Sequence, residues 1–364
     1  MALVRPLSSR RRPQKLFFSL IDGKPGIGPA CVRAILWAAS WGYALGVMCN
    51  RALYAWGVKE VTRLPVEVIG VGNLSMGGTG KTLAVQMLAQ QAVAEGKRVA
   101  ILSRGYRGAS REQVGVVSTP EGLCLTMHEA GDEPFLLAAR LPGVPVLVGK
   151  DRRLTGRYAL EHFGSELLIL DDSFQYLKLY KDHEIVLLDA LQPATRDYVL
   201  PRGVYREPWA HLARAHEIWI THARLASPAR VQALTAAVHR CAPRMPLRFF
   251  EHSPTSLHTI DGVQDSLALL QGRRVLALSS LGNPQQFETM LTTLGAEVTP
   301  CRYPDHHPYS VEDIAVIADR VTPEMLVVTT AKDATRLPAP LPFTTWVVEV
   351  ELEEVGLADT STPR

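Results

Sequence analysis

A lysine and a threonine, Lys81 and Thr82, end the run GNLSMGGTGKT (72–82). The β-branched stretch before it reads as a strand over 66–71, and 83–94 reads as a helix. A loop of this kind, built from Ser75, Met76, Gly77, Gly78, Thr79, Gly80, Lys81 and Thr82, cradles a nucleoside triphosphate. Backbone N–H groups and the positive helix end face the phosphates, the lysine reaches the outer ones, and the hydroxyl binds Mg²⁺. Ser75 stands where the strict pattern has its first glycine, and Gly77, Gly78 and Gly80 supply the backbone freedom. A glycine turn ahead of an ordinary helix is the competing reading. GGTGKT after a strand favours the phosphate loop and ATP.

Other residues could complete such a site. The apolar strand 167–170 ends in Asp171 and Asp172, and a carboxylate there holds Mg²⁺ directly or through water. Gln175 lies just beyond, placed to orient a phosphate or hydroxyl. In GDEP (131–134), spacing alone makes Asp132 a helix N-cap. Arg152 and Arg153 suit planar recognition of phosphate oxygens, with a basic helix face as an equal alternative. Arg206 and Glu207 carry the same ambiguity. YPDHHPY (303–309) offers His306 beside Asp305 for proton handling, but too few ligands for zinc. TTAKD (329–333) lacks the residue that separates lysine from aspartate in guanine-reading motifs, so guanine specificity is disfavoured. Met76 replaces the extra signature lysine of membrane-targeting partitioning ATPases, which weighs against a nucleotide-switched dimer.

These residues need a scaffold. Strands are expected at 99–103, 114–118, 144–148, 167–170, 185–189 and 217–221, with helices at 132–140 and 151–163. That alternation predicts an α/β fold: a mostly parallel sheet sandwiched by helices, with active residues at strand C-terminal ends. A second, smaller α/β lobe follows, with strands at 275–278, 297–301, 326–330 and 346–352 and helices at 284–294 and 311–320. The boundary is expected near 246.

The chain has 364 residues, 47% of them apolar, and a net charge of +3, which gives no case for nucleic-acid binding by overall charge. Its five cysteines form no CxxC pair, arguing against a disulfide framework or zinc site and suiting a reducing cytosol. Residues 1–16 are basic (Arg5, Arg10, Arg11, Arg12, Lys15), and 34–50 carry no formal charge. About seventeen helical residues span roughly 26 Å, a little short of the bilayer hydrocarbon. Trp37, Trp41, Tyr43, Tyr54 and Trp56, bracketed by Arg33 and Arg51, suit a helix at a membrane face. A buried core helix is the alternative.

Taken in order, GVGNLSMGGTGKT, LSRGYRG, GDEP, DRR, LILDDSFQY, LPRGVYREP, YPDHHPY and TTAKDATRL resemble the tetraacyldisaccharide 4′-kinase (lipid A 4′-kinase) family. The resemblance runs from about residue 30 to about 350. It implies γ-phosphoryl transfer from ATP to the 4′-hydroxyl of an acylated glucosamine disaccharide 1-phosphate, giving lipid IV-A at the cytoplasmic face of a bacterial inner membrane. It implies no obligate protein partner. It further implies a P-loop NTPase-like kinase domain (65–246), a C-terminal lobe (247–364) joined through a two-stranded link at 247–257 and 346–352, and a membrane-associated helix within 1–64. Lys81 would reach phosphate, and Thr82, Asp171 and Asp172 would serve Mg²⁺. Asp132 would be the general base, assisted by His306, which reverses the cap reading. Arg152, Gln175, Arg206 and Glu207 match positions near phosphates or substrate. The departures are the alanine in TTAKD, where glutamate is commoner, and a longer basic N-terminus. A kinase for another lipid and an ATP-switched membrane adaptor are the rival readings.

Overall fold

The computed structural model describes residues 17–18, 21–22, 26–106, 108–109 and 111–356. The basic residues within 1–16, Arg107 of the SRGYRG loop and residues 357–364 lie outside that set. The described chain forms two compact units, one running to Glu251 and resuming at Leu352, the other His252–Glu351.

In the first unit, strands form where β-branched and leucine residues run together. They are β1 (Glu67–Asn73), β2 (Val99–Ser103), β3 (Gly115–Thr119), β4 (Gly122–Leu123), β5 (Val146–Val148), β6 (Leu167–Asp171), β7 (His183–Asp189), β8 (Glu217–Thr221) and the start of β9 (Leu247–Thr259). Their order is β9-β8-β7-β1-β6-β2-β5-β3-β4. Pairing is parallel from β9 to β5, and β3 and β4 add an antiparallel edge. Alternate residues of β6 feed two cores. Leu167 and Ile169 meet Val85 and Ala89 of helix Lys81–Ala94 on one face. Leu168 and Leu170 meet Ala159 of helix Arg152–Phe163 on the other. Burial on both faces explains why this strand is apolar throughout. Each fully buried Leu or Ile contributes about 1.5–3 kcal/mol.

The second unit is smaller. It holds the rest of β9, which pairs with β10 (Gln264–Asp265) as an antiparallel hairpin. It also holds β11 (Arg274–Ser279), β12 (Glu297–Arg302), β13 (Met325–Thr330) and most of β14 (Thr345–Val355), in the parallel order β12-β11-β13-β14. Val275 and Ala277 pack with Phe287 and Leu291 of helix Pro284–Thr293. Leu276 and Leu278 pack with Ile314 and Ile317 of helix Val311–Ala318.

Several expectations change in detail. The strand over 144–148 begins only at Val146, after Pro145, which has no N–H for the ladder. Asp151 is the N-cap of its helix, its side chain accepting from Arg153 N. A helix over Pro228–Cys241 was not expected, although Ser227 caps it and Pro228 begins it, a standard start signal. The uncharged N-terminal run lies inside a longer helix, Ile27–Ala55. Among the described residues it alone is long and apolar enough to cross a membrane.

Candidate active site

The loops at the carboxyl ends of β1 and β6 bring most of the chemistry together, as parallel sheets of this order favour. After β1 the chain turns through Leu74–Gly80 into helix Lys81–Ala94, whose first residue is Lys81. Gly80 sits at φ +87°, a left-handed conformation that admits glycine readily. Ser75 needs no such freedom. It forms an antiparallel bridge with Tyr205, flanked by Met76 N donating to Val204 O (2.7 Å) and Arg206 N donating to Leu74 O (2.8 Å). That pairing explains why a serine replaces the first glycine. Asn73 Nδ2 donates to Thr79 Oγ1 at 3.0 Å and braces the loop from inside. Met76, Gly77 and Gly78 are exposed, whereas Lys81 and Thr82 are half-buried.

Asp171 and Asp172 end β6 in different environments. Asp172 takes the left-handed φ of 53°. Arg206 grips both its oxygens (2.8 and 3.1 Å), and Lys81 Nζ stands 3.6 Å away. Burial pushes its carboxyl up, but the Arg206 hydrogen bonds and the charges of Lys81 and Arg206 outweigh that and hold it well below the usual range. Asp171 is 2% exposed. One oxygen accepts from Ser103 Oγ (3.0 Å), and the other has no partner among the described residues. Burial, followed by the charge of Glu133, pushes its carboxyl up to about 6. A buried acceptor left without a donor is where a cation fits. No group of three or more His, Cys, Asp or Glu forms a metal cage among the described residues. Mg²⁺ needs none, since it binds through one or two carboxylates, substrate phosphates and water.

Asp132 is not the N-cap of its helix. Gly131 holds that position, and Asp132 is the first helical residue of Asp132–Arg140. Gly131 has φ +89°, and a Cβ there would fall 2.6 Å from Tyr106 O. The GDEP turn therefore packs directly on the SRGYRG loop, which leaves β2 beside Ser103. Glu133, named only as part of a helix start in the sequence, carries a field that reaches Asp171.

The two arginines of DRR part company. Arg153 is tied to Asp151 through Nε and Nη2 (2.9 and 2.6 Å). Arg152 is 4% exposed, stacks over the Tyr176 ring at 4.7 Å, and its Nε has no hydrogen-bond partner among the described residues. Desolvation lowers its pKa, while Tyr176, Asp172 and Asp171 pull it back.

The first of three comparisons decides the family. The family model for tetraacyldisaccharide-1-P 4′-kinase matches residues 32–361. The chain belongs to that family. Tetraacyldisaccharide 4′-kinase from Anaeromyxobacter sp. (strain K) is 43% identical over 324 residues, 87% of this chain and 85% of the relative. The enzyme of that name from Syntrophus aciditrophicus is 40% identical over 311 residues, 81% of this chain and 82% of its own. A crystal structure of the Aquifex aeolicus family member LpxK, in complex with ATP, is 33% identical with a TM-score of 0.72, covering 89% of this chain and 95% of that one.

Within this kinase family chain, two expected substrate groups face inward. Glu207 is 5% exposed, and its oxygens are taken up by His211 Nδ1 (2.7 Å) and Arg214 (2.7 and 2.8 Å). Burial raises its pKa, but His211 and Arg214 prevail and leave it at about 2. The carboxylate anchors the 204–208 segment and is not presented outward. Gln175 Nε2 donates to Asn73 O (3.1 Å), bracing the end of β1. In the second unit, His306 is half-buried at φ 59°, with Lys332 Nζ 3.4 Å from its Nε2 and Asp305 3.8 Å away. Asp333 of TTAKD is fully buried. It accepts from Ser280 N (3.1 Å), Ser280 Oγ (2.5 Å), Thr330 Oγ1 (2.8 Å) and Arg336 (3.3 Å). That aspartate locks a turn, which accounts for the motif without a nucleotide base.

Proposed function

We propose that this kinase transfers the γ-phosphoryl group of ATP to the 4′-hydroxyl of a tetraacylated glucosamine disaccharide 1-phosphate, giving lipid IV-A. The observation that carries the reading is one strand-end edge holding Lys81, Asp172, Asp171 and the Asp132–Glu133 helix start. The acceptor oxygen bonds to the γ-phosphorus, ADP leaves, and the hydroxyl proton passes to a base. Phosphoryl transfer asks mainly for alignment and charge neutralisation. Lys81 meets the outer phosphates on leaving Asp172, with the amides of Gly77–Gly80 around the remainder. Asp132 takes the proton late, and His306 assists it; for His306 the resemblance is the support. Arg152, whose buried guanidinium is unmatched by an ion pair, binds phosphate of the acceptor or donor, and Arg206 joins it once drawn from Asp172. Thr82 and Asp171 would hold Mg²⁺, with Asp172 nearby. Bound there, the ion would supply charge neutralisation for the phosphates.

We place the enzyme at the cytoplasmic face of the inner membrane through helix Ile27–Ala55. Ile35, Trp37, Trp41, Leu45 and Met48 are at least half exposed on it, an amphipathic-to-apolar surface suited to the headgroup boundary. An acylated acceptor then reacts without its chains leaving the bilayer.

The test is transfer of labelled phosphate from ATP to the disaccharide 1-phosphate in mixed micelles. Wild-type chain labels the lipid. Asp132→Asn lowers kcat by roughly 10²–10⁴-fold, the usual worth of a positioned base, while ATP still binds. Wild-type rates in that variant refute the base assignment, and ATP binding without any labelled lipid refutes the acceptor.

A further inference from the structure

Helix Ile27–Ala55 does more than present an apolar surface. Its half-buried positions Pro29, Arg33, Leu36, Ala44 and Val47, with the buried Ser40 among them, recur at helical spacing and form one stripe along the first unit. Two polar groups on or beside that stripe reach a distant loop. Ser40, 8% exposed, accepts from Arg202 N at 3.1 Å, and its single hydroxyl proton is shared between Leu36 O of its own helix (2.8 Å) and Val199 O (2.9 Å). Tyr43 donates its hydroxyl proton to Arg206 O at 3.2 Å. Just before the helix, Asp22 binds Arg196 through both oxygens (2.8 and 2.7 Å), and Arg202 donates to Ile21 O (3.3 Å).

The opposite side of the same loop is the wall of the nucleotide site. Val204 O and Arg206 N bond to Met76 N and Leu74 O of the phosphate loop. The Arg206 guanidinium holds Asp172 and both oxygens of Asn73. Residues 196–206 contain no strand longer than an isolated bridge. Main-chain bonds inside the segment (Val204 N to Arg196 O, Tyr205 N to Tyr198 O, Leu200 N to Tyr205 O) and the burial of Val204 and Tyr205 fold it into a compact turn. One flank of that turn is bonded to the phosphate loop and the other to the N-terminal helix.

We infer that Ser40 and Tyr43 are positioning residues for the kinase reaction, holding the 199–206 segment so that Arg206 and the phosphate loop are preorganised for ATP. By linkage, a bound nucleotide strengthens the helix's hold on that segment in equal measure. The inference rests on the nucleotide reading of the phosphate loop and does not depend on which acceptor the enzyme uses.

The test is direct titration of the full chain in detergent micelles with a fluorescent ATP analogue, displaced by ATP. Loss of the bonds from Arg202 N to Ser40 and from Tyr43 to Arg206 O, together with the Ser40–Val199 contact, in Ser40→Ala/Tyr43→Phe raises the Kd for ATP by roughly three- to tenfold. Acceptor KM and partition into anionic vesicles stay at wild-type values. Ser40→Thr, which keeps the hydroxyl, restores ATP affinity in the Tyr43 wild-type background. Should the double variant melt early, Tyr43→Phe alone carries the same titration, because it removes one hydroxyl and keeps the ring. Unchanged ATP affinity in a variant with wild-type melting overturns the inference. So does a loss confined to vesicle partition or acceptor KM, the pattern of a helix that only tethers. An acceptor other than the disaccharide would leave the ATP titration unaltered, so the two readings fail separately.

Discussion

Two buried aspartates mark the ends of comparable parallel strands, one in each unit, and they are treated in opposite ways. Asp333, just past β13, has donors on both oxygens: an amide, three hydroxyls (Ser280, Thr330 and, at 3.4 Å, Tyr309) and the Arg336 guanidinium. Asp171, closing β6, has a single serine hydroxyl, a bare second oxygen and a carboxylate, Glu133, in its field. A fully satisfied buried carboxylate stabilises and specifies a fold, and a half-satisfied one costs free energy until a cation completes it. On the proposed reading of Asp171 as a metal ligand, the difference separates a residue that builds the protein from one that serves a ligand, although both look alike as an acid at a strand end.

The sharpest way to break this contrast is a matched pair of substitutions. Asp333→Asn removes the charge that an amide, three hydroxyls and Arg336 converge on, and should cost about 3–5 kcal/mol, as breaking a buried ion pair does. Asp171→Asn should leave metal-free stability at neutral pH equal or higher, while transfer falls by at least about 100-fold, on the scale of removing one preorganised electrostatic partner. Chemical denaturation and the labelled-lipid assay read the two effects. Equal destabilisation by both variants would erase the distinction.

A milder version of the contrast lies in adjacent arginines. Arg152 is buried over Tyr176 within the field of the acid pair and has no ion-pair partner among the described residues, whereas Arg153 is spent on Asp151. Arg152→Lys keeps charge but loses the planar fork, and kcat/KM should drop roughly 10–100-fold, the worth of a charged hydrogen bond. Arg153→Lys should change the rate by less than about threefold, because a partly exposed pair contributes little. Steady-state kinetics at saturating ATP separate them, and equal losses would show that both guanidiniums meet phosphate.

Local pattern made much of this legible. The phosphate loop was readable because glycines, lysine and threonine follow a β-branched run, and β6 because four apolar residues lead into acids. What failed depended on contacts far apart in the chain. Spacing alone made Asp132 a cap, but Gly131 takes that place because the turn must pass within reach of Tyr106 O. The role of Glu207 in its loop stays open in the sequence, and its inward commitment to His211 and Arg214 is visible only once Trp209–Arg214 coil into a 3₁₀ helix. Ser40 sits in an uncharged stretch whose composition speaks of lipid, and nothing local betrays bonds to residues 199 and 202. Helix Pro228–Cys241 was legible in part, since Ser227–Pro228 is a start signal, but its mixed polar residues dilute the apolar periodicity that marks the other helices.

The smallest effect tests the cause assigned to Asp171 through pH. Its folded-state pKa is raised to about 6 from an ordinary 3.8, so the folded protein favours the protonated acid. That contribution to stability is complete below the unfolded value and is lost as pH rises through about 6. The Asn variant has no such proton. The metal-free stability of Asp171→Asn relative to wild type should therefore rise between pH 4 and pH 7.5, by on the order of 2 kcal/mol for a shift of this size. Carboxylates held low, such as Asp172 and Glu207, act in the opposite sense but are common to both proteins and largely cancel in the difference. Adding Mg²⁺ with ATP at pH 7.5 should reverse the sign, because a cation that binds the folded carboxylate stabilises wild type by mass action and the amide poorly. A difference that stays flat across this window would mean that Asp171 is solvated or already paired, and the contrast with Asp333 would dissolve.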